Sequence, residues 1–188
     1  MKIRKTLIGL TIGVLSAISI SDICNIQLAK AESVNDTSTD QGVCRKFAAG
    51  TYLTTISDST GQFASRSLIT LTTDGNILVT DSNQGGVYQG NNQFNPFTTS
   101  HGSWKCNKNG ELTATTLNFN LSGPLPLASH PLGIAGNNYS IRFNQNTQTL
   151  QGTIDLRFFD LNATVQEVTG SSGTPLTYTL TGQRVTAK

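Results

Sequence analysis

From Cys44 onward this sequence predicts an all-β domain of about eight antiparallel strands, running up and down and closing into a barrel, entered through a short N-terminal helical turn. Three observations carry that expectation. Short β-branched and aromatic runs recur between clusters of Gly, Asn, Asp and Pro. No later stretch sustains helical periodicity over roughly three turns, and only Cys44 to Ala49 reads as a helical turn. The connections are short hairpins with two long exceptions, and closure protects the edges that an open sheet would expose.

The elements follow in order. Leu53-Thr54-Thr55-Ile56 is a strand that stops at Asp58-Ser59-Thr60-Gly61, residue types that favour a turn. Phe63 to Thr72 and Ile77 to Asp81 flank Asp74-Gly75, a strong hairpin signal. Ser82 to Thr99 is a long break that carries Tyr88, Phe94 and Phe97, and long loops in such domains often carry function. Gly102 to Cys106 is a short strand, Asn107 to Gly110 a turn, and Glu111 to Leu121 a long Thr-rich strand. The second break, Ser122 to Gly136, holds Pro124, Pro126 and Pro131 and cannot be a central strand. Asn138 to Asn144 and Thr149 to Leu161 pair across Gln145 to Gln148, and Leu176 to Thr186 is the last strand after the loop from Gly170 to Gly173. Apolar alternation gives the sheet one dry face: Tyr139, Ile141 and Phe143, then Leu150, Ile154, Leu156 and Phe158, then Leu176, Tyr178 and Leu180. Leu68, Val79, Leu117 and Phe119 are expected to point inward with them.

Ahead of this domain, residues 1–31 have the composition of an export signal. Lys2, Arg4 and Lys5 precede an apolar run from Leu7 to Ile20, and Ala29-Lys30-Ala31 supplies small residues before Glu32. The run is short for a span of roughly 20 residues. Cleavage near Ala31 and delivery to the periplasm or the medium is therefore expected, with an uncleaved anchor as the alternative. Residues 32–43 read as a flexible polar lead-in and 44–188 as a single barrel domain. The leader holds Lys2, Arg4, Lys5 and Lys30 against Asp22, which leaves 9 basic and 10 acidic residues in the rest of the 188-residue chain. So balanced a domain lacks the positive field that draws proteins to nucleic acid, and no membrane span follows the leader. Of three cysteines, Cys24 would leave with the leader, so Cys44 and Cys106 remain as an even pair, read as one disulfide in an oxidising compartment. Those two cysteines with the distant His101 and His130 do not make a metal-ligand set, and no phosphate-cradling, dinucleotide or nucleophile-elbow motif implies a cofactor or a hydrolase.

Phe47-Ala48-Ala49-Gly50-Thr51-Tyr52 resembles the helical turn leading into Gly-x-Trp on the first strand of lipocalins and other calycins, with Tyr52 at the Trp position. Together with Thr73-Asp74-Gly75 and His101-Gly102-Ser103-Trp104, it also resembles small secreted bacterial barrels. The resemblance spans nearly all of residues 44–186. It implies a barrel with a cup for an apolar ligand, and a basic residue of the last strand, Arg184, over the Tyr52 ring.

Among the remaining candidates, His101 follows the aromatic loop and would need an orienting partner to act as an acid or base, whereas the plainer role is closing a loop. Asp155 and Arg157 share a face opposite Ile154, Leu156 and Phe158, which places them on the solvent side. The aromatic loop, with Leu125, Leu127 and Leu132 of the proline loop, would either ring a pocket at the barrel mouth or plug it as satellite core. The expected ligand-binding set is Tyr52, Tyr88, Phe94, Phe97, His101, Phe119 and Phe143. The expected function is an exported barrel that binds a small apolar or amphipathic molecule without catalysis. One alternative is an isomerase or cyclase on the same scaffold using His101 and Tyr52; another is a solid-cored module that contacts a partner through its long loops. A cavity of roughly 300 Å³ or more separates the first two from the third.

Overall fold

The computed structural model describes residues 37–89, 92–123, 130–170 and 173–187, without the side chains of 37–41 and 87–94. In chain order the elements are α1 (Thr37–Ala48), β1 (Gly50–Ser57), β2 (Phe63–Leu71), β3 (Asn76–Asp81), β4 (Val87–Gln89), β5 (Asn92–Phe94), β6 (Ser100–Cys106), β7 (Glu111–Leu121), β8 (Pro131–Asn144), β9 (Thr149–Phe159), α2 (Val165–Thr169) and β10 (Leu176–Arg184). Eight of the strands form a closed antiparallel barrel in the order β1-β10-β9-β8-β7-β6-β3-β2, and β4 and β5 pair separately as a small hairpin between β3 and β6. Closure is made by β1 and β10, in register from Tyr52 opposite Arg184 to Ser57 opposite Thr179. The expected hairpin at Asp74-Gly75 is present, with Gly75 at φ 94°, a conformation that favours glycine.

Four boundaries differ from the sequence reading, each for a physical reason. The helical turn expected at Cys44 begins at Thr37, so part of the expected lead-in is helical. Cys44 and Ala48, one turn apart, are buried against the barrel floor, and this tertiary anchoring holds a helix that its composition alone does not favour. The first long break contains the β4–β5 hairpin. The second break ends sooner than expected, because β8 starts at Pro131, where a first-position proline forfeits no interior ladder bond. Finally, α2 fills part of the last connection. It is set by a reciprocal cap in which Glu167 N donates to Thr164 Oγ1 and Thr164 N to Glu167 Oε2, a Thr-x-x-Glu signal that the sequence does carry. Val168 of α2 packs on the outer wall at Gly136, where an added Cβ would come within 2.9 Å of the Val168 carbonyl. The leader expected at residues 1–31 and the segment with Pro124 and Pro126 lie outside the described residues.

One end of the barrel is closed. Ile69, Leu71, Ile77, Leu112 and Leu150 fill its interior, and α1 lies across it. Two inward glycines let the wall curve tightly there: a Cβ on Gly102 would sit 1.8 Å from the Thr115 carbonyl, and one on Gly152 would sit 2.1 Å from that of Ser140. Arg184 locks the helix to the floor. Its Nη2 donates to the Phe47 carbonyl (2.5 Å), the Ala49 carbonyl (2.7 Å) and the Tyr52 hydroxyl (2.9 Å). Its guanidinium lies over the rings of Tyr52 (5.3 Å) and Phe143 (5.6 Å). The Tyr52 hydroxyl, accepting from Arg184, donates to the Ala48 carbonyl at 2.7 Å. Arg45 makes a second tie, donating to the Trp104 carbonyl at 3.2 Å, while Trp104 Nε1 donates to the Thr72 carbonyl at 3.0 Å. Cys44 of α1 and Cys106 at the end of β6 form the third, a disulfide across a sequence separation of 62.

Two stability outcomes follow from this floor. Arg184→Met keeps much of the ring contact but leaves three acceptors short of a charged donor, and should lower stability by about 2 kcal/mol, a fall in Tm of roughly 4–8 °C. Arg184→Lys should recover less than half, because a compact, strongly hydrated ammonium lacks the planar face that lies over the rings of Tyr52 and Phe143. Reducing the disulfide should lower the chemical denaturation midpoint by an amount equivalent to roughly 4 kcal/mol on the chain-entropy argument, and should raise the m-value as the unfolded chain expands.

Candidate binding site

The opposite end of the barrel is built differently, and its two walls differ in polarity. The strand pairings fix which residues face inward: Ser65 and Ser67 of β2, Asp81 of β3, Ser100 of β6, Thr116 and Asn118 of β7, and Asn137 and Tyr139 of β8. Asp81 Oδ2 accepts from the hydroxyls of Ser65 (2.8 Å) and Ser67 (2.5 Å), and Oδ1 accepts from Asn83 N (2.8 Å). Asn118 Nδ2 donates to Ser100 Oγ at 2.9 Å, and Asn118 Oδ1 is buried with no hydrogen-bond partner. Asn137 Nδ2 reaches Thr116 Oγ1 at 3.4 Å. Burial pushes the Tyr139 hydroxyl up to about 12; a hydrogen bond with Thr116 works against the shift, and the Asp81 charge adds to it. Facing this polar wall, β9, β10 and β1 present Leu156, Phe158, Leu176, Tyr178 and Ile56.

Exposure shows how far this mouth opens. At the waist Thr116 and Tyr139 are buried, so the barrel is filled there. Toward the rim, inward residues of β8, β9 and β10 become accessible: Asn137, Leu156 and Tyr178 are half-buried, while Phe158 is 58 % and Leu176 53 % exposed. Between the end of β9 and α2 the rim carries a notch of about 520 Å³.

The expected ligand-binding residues are not brought together at this mouth. Tyr52 and Phe143, in edge contact at 6.3 Å between centroids, are buried in the closed end under Arg184. His101 points outward and is exposed, opposite Leu78 and Leu117 on the barrel's outer face, so it and Tyr52 do not share a site. Phe119 also points outward and is 48 % exposed, and Leu68 and Leu117 lie on the outer face with it; all three correct the inward facing read from the sequence. Val79, Ile141, Phe143 and Leu156 do face inward. Phe97 is half-buried and bridges to Asn120 beside the end of β7. Tyr88 and Phe94 lie on the β4–β5 hairpin, with side chains outside the described residues, as are Leu125 and Leu127. Leu132 is exposed at the start of β8. The loop-closing histidine is His130, whose Nδ1 lies 2.8 Å from Ser122 Oγ. Asp155 and Arg157 are on the outer face as expected, where Asp155 accepts from Thr177 and Arg157 donates to the Gly173 carbonyl.

The sequence reading missed Ser65, Ser67, Asp81, Asn118 and Asn137. A signal was available: Leu112 and Leu117, five apart on one unbroken strand, cannot share a face.

Charge divides along the barrel axis. Among residues with described side chains, the closed half holds Arg45, Lys46, Lys105, Lys108, Arg142 and Arg184 against Asp74 and Glu111. The mouth half holds Asp58, Asp81, Asp155, Asp160 and Glu167 against Arg66 and Arg157. No group of three or more potential metal ligands occurs among the described residues, and none of their helices is long and apolar enough to cross a membrane. No family model, curated protein or solved structure matches this chain.

The Tyr139 hydroxyl makes the interior measurable by pH. Its folded value of about 12 lies above the ordinary 10.0, so the stability it supplies is complete below pH 10 and is lost as pH rises toward 12, where the unfolded chain gives up its proton first. Tyr52 is shifted in the same direction by burial, against the opposing effect of Arg184. Denaturant midpoints measured from pH 9 to 12 should therefore fall, and Tyr139→Phe should flatten the slope by up to about 1.4 kcal/mol per pH unit.

Proposed function

We propose that this protein is an exported, non-catalytic barrel that binds a small amphipathic molecule at its open mouth, with the apolar part against Leu156, Phe158, Leu176 and Tyr178 and the polar part toward the polar groups of the mouth and its rim. The observation that carries this reading is that inward-facing apolar side chains stay exposed on one wall while polar side chains line the other. A barrel that served only as a solid support would gain stability by filling its rim with those apolar groups. The site is shallower than the expected cup, because the waist is filled. The Cys44–Cys106 pair fits an oxidising compartment, and the leader read at residues 1–31 supplies the route of export. The guanidinium of Arg184 over Tyr52 supports the calycin-like reading of the scaffold.

Fluorescence titration with N-phenyl-1-naphthylamine tests the site. The wild-type protein should bind the probe saturably, and Phe158→Ser with Leu176→Ser should weaken binding roughly 10-fold or more, since each removes apolar contact with the ligand. Both side chains are more than half exposed, so Tm should change little. Absence of saturable binding, or equal binding by the variant, overturns the proposal.

A further inference from the structure

We propose that the mouth selects a small cation carrying an apolar body, such as a protonated alkylamine or arylamine, and holds its charged end in the rim notch between β9 and α2. This rests on the binding reading above and adds the sign of the ligand's charge and where that charge sits.

The notch is lined by Phe158, Phe159, Asp160, Asn162, Ala163 and Glu167. Phe158 belongs to the inner register, opposite Ala135, and Phe159 to the outer, opposite Ile134, so the notch straddles the rim and continues the exposed apolar wall of the mouth. Two aromatic faces offer both apolar contact and an attractive quadrupole for a cation. The polar part of the lining is two carboxylates and an amide, with no Lys or Arg among these residues. The capping bonds of Glu167, from Thr164 N at 2.6 Å and Thr164 Oγ1 at 2.8 Å, both fall on Oε2 and fix the side chain at the notch, leaving Oε1 available to a ligand. Those same bonds hold the Glu167 carboxyl below its ordinary range, so it is charged at neutral pH. Asp160 stands exposed at the turn that leaves β9. The nearby cation, Arg157, faces outward and donates to the Gly173 carbonyl.

The wider field agrees in sign. Asp81 lies inside the mouth, and the mouth half as a whole is acidic while the closed half is basic. An approaching cation is drawn to this end of the barrel and an anion is turned away, an effect that weakens with salt. A neutral ligand of the same shape would gain the apolar contact alone.

Calorimetric titration of the intact protein with octyltrimethylammonium, octyl sulfate and 1-octanol, each below its aggregation threshold, separates these contributions. At low salt the cation should bind roughly 10-fold more tightly than the sulfate, and the ratio should shrink in 0.5 M NaCl. Asp160→Asn with Glu167→Gln, which keeps the capping geometry, should bring the two close to parity. Asp160→Asn alone, at an exposed turn, gives a second variant free of any effect on the α2 cap and should lose part of the preference. Octanol binding without a charge preference overturns this inference and leaves the mouth as a neutral amphiphile site. A preference that survives both substitutions overturns the rim as its location. Failure of all three ligands to bind overturns the inference together with the binding reading on which it rests.

Discussion

One guanidinium organises the closed end of this barrel. Arg184 sits at the last residue of the last strand, opposite Tyr52 on the first, and ties both to the end of α1 through two carbonyls and a hydroxyl. A closed barrel has to join its two chain ends, and here the joint is also the floor. The rings of Tyr52 and Phe143 shield the cation on one side, and the carbonyls of the helix end accept from its Nη2 on the other, while Nε is buried without a partner. Charged donors placed on the last carbonyls of a helix also complement its dipole. The disulfide from Cys44 to Cys106 repeats the connection covalently at another point of the closed end. With α1 held in this way, the barrel interior is closed at this end.

That opposite end inverts the usual arrangement of a β-barrel core. Along β7 the inward residues run Leu112, Ala114, Thr116, Asn118, while the outward ones become apolar at Leu117 and Phe119. β2 does the same, with Ser65 and Ser67 inward and Leu68 outward before Ile69 and Leu71 restore an apolar interior. Part of the outer apolar surface this creates is covered by α2 through Val168. A polar interior is tolerable because its members satisfy one another, as Asp81 does with Ser65, Ser67 and Asn83. Asn118 Oδ1 is an exception within this row, buried without a hydrogen-bond partner, as are Arg45 Nε, Gln148 Oε1 and Arg184 Nε elsewhere. The contrast between the polar wall and the exposed Leu156, Phe158 and Leu176 gives the mouth two chemistries within reach of one small molecule.

Strand number, strand order and the disulfide pair were legible in the sequence because each depends on local signals or on topology, whereas the Arg184–Tyr52 contact was expected only from the resemblance to calycins. Turn residues punctuate the chain, the two cysteines beyond the expected leader can pair in one way, and an up-and-down barrel brings its last strand beside its first. The closed-end core was legible for the same reason, since Tyr139, Ile141 and Phe143 alternate as an apolar-in pattern requires. The mouth was not, and Leu68, Leu117 and Phe119 show why. Hydrophobicity marks the inward face only where the core is apolar, and here the pleat keeps its parity while the polarity of the interior changes midway along the strand. Only the pairing register, a tertiary property, reveals that Ser67 and Asn118 face the lumen and that His101 and Phe119 do not. The sequence therefore determined a cross-linked barrel with one dry core. The tertiary structure decided which end is open, how deep it is and which side chains meet there, because those depend on residues far apart in the chain that no local pattern places on the same side of a wall.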